Sequence, residues 1–143
     1  MKKNILLSLS SFVLIICLFA SSGSFAQCDT TANRCENHLS TDYISDGQQY
    51  RALLLDDETA EFHATFFGGS TYRIAGCSGL SDGNLIFSLY DPDRNLLYTN
   101  NDYRNAPFWD FTFTSTTDCT IEAQLESLNQ SSGCAVLLIG FKR

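Results

Sequence analysis

The sequence predicts an all-β protein, a single antiparallel β-sandwich of about eight strands. Three observations predict it. Short segments in which apolar and polar residues alternate recur through residues 50–141, and clusters of Gly, Asp, Asn and Ser separate them. The last segment, Cys134 to Phe141, is apolar on both faces, as a central strand covered on two sides must be. No amphipathic helical pattern competes with the strands.

Residues 1–26 read as a secretory signal peptide. Lys2 and Lys3 precede an apolar run from Ile5 to Ala20, and Ser24 and Ala26 stand at the −3 and −1 positions of a cleavage site before Gln27. The run is about 16 residues long, shorter than the ~20 that a spanning helix needs. Neither Cys17 nor Cys28 follows a small residue, which argues against a lipoprotein. Cleavage leaves 117 of the 143 residues, enough for one domain with its own core. Of 9 basic residues, removing Lys2 and Lys3 leaves 7 against 16 acidic, a formal charge of −9. Such a surface repels phosphate backbones, so nucleic acid is not an expected partner. The expected location is secreted, periplasmic or at the cell surface, with no membrane span after cleavage.

Residues 27–49 are polar and read as a loosely ordered arm, with the sandwich occupying 50–143. Tyr50 to Leu55 is a short apolar strand, closed by the acidic turn Asp56-Asp57-Glu58. Glu61 to Phe67 puts Phe62, Ala64 and Phe66 on one face and His63 on the other. Thr71 to Ala75 turns Tyr72 and Ile74 inward, and a Gly-rich loop follows through Gly83. Leu85, Phe87 and Leu89 share the next inner face. Asp91-Pro92-Asp93-Arg94-Asn95 then reverses the chain, because proline presets φ for a type I turn and Asp and Asn bond the local backbone. Leu96 to Tyr98 completes a hairpin around which the other strands are expected to pack. After a polar loop, Phe108 to Thr114 aligns Trp109, Phe111 and Phe113. Cys119, Ile121, Ala123 and Leu125 face inward on the strand after it.

Five cysteines belong to the mature chain: Cys28, Cys35, Cys77, Cys119 and Cys134. Export places them where disulfides persist, and the odd number leaves one thiol free or paired between molecules. Two bridges among five cysteines can be drawn in about 15 ways. A local Cys28–Cys35 clasp is expected, with one pair among Cys77, Cys119 and Cys134, and Cys119 near one of the other two inside the sandwich.

The Gly-rich loop matches neither a nucleophile elbow nor a phosphate loop. His38 and Cys35 could form half of a zinc site, but His38 reads as a surface histidine. Asp91, Asp93 and Asn95 have the spacing of a calcium loop, with Asp102 at the twelfth position. Leu96 stands where that loop needs Gly, which favours a plain turn; a looser calcium site would recruit Asp56, Asp57 and Glu58. Tyr98, Tyr103, Phe108 and Trp109 cluster around the 99–107 loop and are the candidate ligand-binding residues, offering stacking surfaces to a glycan or protein.

Thr71-Tyr72-Arg73-Ile74, then Leu85 to Pro92, Asn95-Leu96-Leu97 and Phe108 to Thr112, resemble in their order the bacterial pre-peptidase C-terminal domain. The resemblance spans residues 50–141. It implies a jelly-roll β-sandwich, here without an attached peptidase, with a role in secretion, binding or adhesion, and in some members bound calcium. The function expected is therefore that of a secreted, non-catalytic module that binds a protein or glycan. The alternatives are a small secreted hydrolase, built on His38 or His63, and a structural envelope component crosslinked through the free cysteine.

Overall fold

The structure, a computed structural model, describes residues 23–129 and 131–142. The elements follow as α1 (Gly23–Glu36), β1 (Tyr43–Leu55), β2 (Thr59–Phe66), β3 (Thr71–Ser78), β4 (Leu85–Tyr90), β5 (Leu96–Thr99), a 3-10 turn (Asn100–Tyr103), β6 (Phe108–Thr112), β7 (Thr117–Leu125) and β8 (Ser132–Lys142). The strands form two antiparallel sheets, ordered β1-β8-β3-β6 and β2-β7-β4-β5. This is a jelly roll: β1 pairs with β8, and consecutive strands cross between the two sheets except at the β4–β5 hairpin.

Alternation of side chains builds the core. Leu85, Phe87 and Leu89 of β4 meet Ile121, Ala123 and Leu125 of β7 and Ala135, Leu137 and Ile139 of β8. Gly76 belongs to this packing, since a Cβ there would lie 2.8 Å from the Phe87 ring. The β4–β5 hairpin forms as its turn chemistry dictates. Only its first strand is internal, however: β5 is an edge strand, while β4 and β7 are internal in one sheet and β8 and β3 in the other.

β8 is covered on both sides because two different layers pack on it. Its other face, Cys134, Val136 and Leu138, joins Ala32, Cys35 and Leu39 beneath α1. Residues 27–49, expected as a loose arm, thus form most of α1 and the opening of β1. The expected leader lies outside the described residues except for residues 23–26, which open α1. The disulfides also differ from the expected local clasp. Cys28 bonds Cys134 and Cys35 bonds Cys77, so α1 is stapled to β8 and to β3. Seven residues apart, the two cysteines lie on one helical face turned to the sheet, and each finds a strand cysteine beneath it. Among the described residues Cys119 is the free thiol, buried in the sandwich.

Each open side of the sandwich is bordered by one edge strand from each sheet: β1 with β2, and β6 with β5. On β1 the register with β8 shifts between Ser45 and Gln49. Gly47 adopts φ 81°, Ser45 Oγ accepts from Gly47 N, and Asp46 Oδ1 accepts from Gln48 N. The resulting bulge bends that end of the strand.

Candidate functional site

Of the four expected ligand-binding aromatics, three come together at the β5/β6 edge. Tyr98 stacks on Trp109 at 5.2 Å and on Tyr103 at 5.5 Å, and Tyr103 lies 4.4 Å from Trp109. They largely fill one another's faces. Tyr98 is only 8% exposed, its hydroxyl has no hydrogen-bond partner, and burial drives its pKa well above the ordinary phenol range. Tyr103, on the 3-10 turn, keeps a free face at 49% exposure.

Phe108 falls on the opposite face of β6 from Trp109. The Arg73 guanidinium lies 4.3 Å from its ring centroid and 4.4 Å from that of Tyr43, and the His38 ring sits 5.8 Å away. Arg73 also donates to both oxygens of Asp110, at 2.6 and 2.9 Å, and to the carbonyl of His38 at 3.0 Å. The guanidinium holds the Asp110 carboxyl below its ordinary range. Phe108 is therefore part of a structural knot under α1, occupied by the protein's own cation.

The acidic turn is closed on itself. Asp91 accepts from Asn95 N at 2.8 Å and from Asn95 Nδ2 at 2.9 Å, and Arg94 takes φ 65°. Asp102 and the Asp56–Glu58 cluster lie at the other end of the strands from Asp91, Asp93 and Asn95. Among the described residues, no three or more of His, Cys, Asp and Glu come together as metal ligands. The Asp91–Asn95 bonds brace the hairpin turn.

The alternative hydrolytic reading needs His38 or His63 in a cleft with a carboxylate or Cys77. His38 pairs with Asp82 at 3.1 Å beside Phe108, Cys77 is in a disulfide, and His63 is on the solvent face of β2. Crosslinking through the free cysteine is also blocked in the folded chain, because Cys119 is 3% exposed and burial pushes its thiol up to about 11.

Two surfaces that the sequence did not single out remain. The first is the end where the β1–β2, β3–β4, β5–β6 and β7–β8 connections meet. Hydrogen bonds stitch these loops together: Asp56 N to Ser131 O, Glu126 N to Asn84 O, and Asn105 Nδ2 to both Gly83 O and Glu126 Oε2. Asp56, Arg104 and Asn105 hold positive φ there, a conformation few non-Gly residues adopt. Leu80 and Leu128 project at 76% and 92% exposure from connections at the same end as those carrying Tyr103, Asp56, Asp57, Glu58 and Asp102. Leucines placed singly in Gly-, Ser- and Asn-rich connections are the signal that could have marked this end.

The second surface is a cleft of about 660 Å³ on the β1/β2 side, at the bulge. Phe66, Tyr72 and Ile139 of the core form its floor, and Asp46, Gln48, His63 and Ser70 its polar rim. The cleft is lined by the bulged segment of β1 on one side and the end of β2 on the other.

No protein-family model matches the chain, and no protein of curated function matches it. Its fold is similar to that of PliG from Aeromonas hydrophila, a periplasmic lysozyme inhibitor of g-type lysozyme, with TM-score 0.52 and 13% identity over 72% of this chain and 90% of that one. It also matches the VP2 subviral particle of infectious bursal disease virus, with TM-score 0.35 and 14% identity over 71% of this chain and 32% of that one.

Proposed function

We propose that this protein is an exported, non-catalytic β-sandwich that binds another protein through its stitched loop end. One observation carries the reading: solvent-exposed Leu80 and Leu128 stand on loops hydrogen-bonded to one another at the end of the strands where Asp56, Asp57, Glu58 and Asp102 also lie. Fixed loops lose little entropy on binding, and exposed apolar side chains beside charge supply a contact core with a steering rim. A mature charge of −9 favours a basic partner. Two disulfides and the leader pattern support an extracytoplasmic setting. PliG supports the same class of activity, and a lysozyme is the first partner to test. The pre-peptidase C-terminal resemblance also fits a binding role.

The test is calorimetric titration of the mature protein against g-type and other lysozymes and a panel of basic exported proteins. We expect saturable binding to a basic protein that weakens as salt rises, and that falls about tenfold or more in a Leu80→Ser/Leu128→Ser variant with unchanged circular dichroism. Silence across the panel, or undiminished binding by the double variant, would overturn the reading.

A further inference from the structure

We propose that the cleft between β1 and β2 binds an organic ammonium group, either a lysine side chain or a small quaternary amine. Five aromatic side chains line it, Tyr50, Phe66, Phe67, Tyr72 and Phe141, and Phe67 is 61% exposed at the mouth. Tyr72 is fixed from below, because its hydroxyl accepts from Phe67 N at 3.0 Å. Aromatic faces attract cations through their quadrupoles, and a desolvated cation gains most.

The electrostatics of the rim select the same class. Asp46 is the one carboxylate among the lining residues, and no Lys or Arg lines the cleft. Its Oδ1 is anchored by Gln48 N at 2.8 Å, so the bulge holds the carboxylate at the rim. Partial burial raises the Asp46 pKa, and Tyr50 beside it is raised in turn by burial and by Asp46, as expected where a negative charge has no counter-ion. The other titratable rim group, His63, points to the outer face, 3.3 Å from Thr120 Oγ1 and 4.0 Å from Glu61. An anionic ligand would meet Asp46 unfavourably. A neutral apolar ligand would use the rings but leave the carboxylate desolvated and unpaired. A cation with an apolar envelope satisfies rings and carboxylate together, and the volume suits a small ligand or one side chain.

This site lies at the opposite end of the strands from Leu80 and Leu128, so it stands apart from the proposed loop interface. The experiment is a nuclear magnetic resonance titration of the mature protein with three probes. These are choline, its uncharged isostere with carbon in place of the quaternary nitrogen, and N-acetyl-lysine methylamide. We expect saturable shifts at Phe67, Tyr72 and His63 with at least one cationic probe, and weaker binding of the uncharged isostere. Asp46→Asn should weaken the cation about fivefold and remove its advantage over the isostere, while Phe67→Ala weakens both. Both positions are exposed, and an unchanged melting temperature verifies that the variants fold. Response to the lysine amide alone identifies a partner protein's side chain, and response to choline alone a free quaternary amine. Equal binding of choline and its isostere, an inert Asp46→Asn, or no saturable shift with any probe overturns the proposal. The Leu80→Ser/Leu128→Ser variant should titrate like the parent, which separates this site from the loop end.

Discussion

Asn100 shows how one side chain can fix a whole connection. It is fully buried, and its amide is used on both sides. Oδ1 accepts from Phe87 N at 2.8 Å, while Nδ2 donates to Leu85 O at 2.9 Å and Ala106 O at 3.1 Å. The residue thereby ties the 100–106 turn to β4 and positions Tyr103 over the aromatic edge. Replacing it with Ala strands a buried N–H and two carbonyls, each costly without a partner. Asn100→Ala should lower unfolding stability by about 2–4 kcal/mol, read as a lower urea midpoint with unchanged slope. An unaltered midpoint would show that water replaces the amide. In the sequence Asn100 belongs to a run of Thr, Asn and Asp that reads as plain loop; polarity does not reveal that one member points inward.

At the scale of elements, legibility followed how much apolar surface an element shows along its own length. β8 declared its central place because Cys134 to Ile139 is apolar on both faces. β4 and β7 declared themselves by clean alternation. α1 was hidden because its inner face is made of Cys28, Ala32 and Cys35, which carry little apolar surface, and disulfides supply the attachment. The first half of β1 was hidden for a related reason: its side chains are exposed around the bulge, so the pattern never alternates. The bridges span sequence separations of 106 and 42 residues, and the chain-entropy account gives about 4–5 kcal/mol for each alone. Cys28→Ser/Cys134→Ser should therefore lose several kcal/mol, and the pair of double variants should lose less than the sum, because both bridges hold the same helix. In the oxidised mature protein, a thiol reagent should modify one cysteine, Cys119, and only after denaturant is added. Modification under native conditions would mean that the sandwich opens readily.

For the molecule as a whole, the sandwich was legible and the two surfaces proposed for binding were not. Strand period and turn chemistry report what faces inward, whereas a binding surface is defined by what the topology gathers outside. Leu80, Leu128 and Tyr103 lie on three separate connections, and only the jelly-roll order carries them to one end. Of the aromatics expected around the 99–107 loop, Tyr98, Tyr103 and Trp109 stack on one another, whereas Phe108 lies on the other face of β6 against Arg73. The β1/β2 cleft depends on a three-residue irregularity at Asp46-Gly47-Gln48, which no periodicity contains.

The pairing of β1 with β8 and the Cys28–Cys134 bridge set an order of assembly. A nascent polypeptide lacking residues 132–142 has no inner neighbour for its first strand and no oxidation partner for its first cysteine. If the chain is exported as proposed, β1 and Cys28 cannot complete their pairing and oxidation until residues 132–142 have followed them across the membrane. A secreted form stopped after residue 131 should remain protease-sensitive, with Cys28 still reduced. Protease resistance in that truncated product would show that maturation can begin before translocation ends.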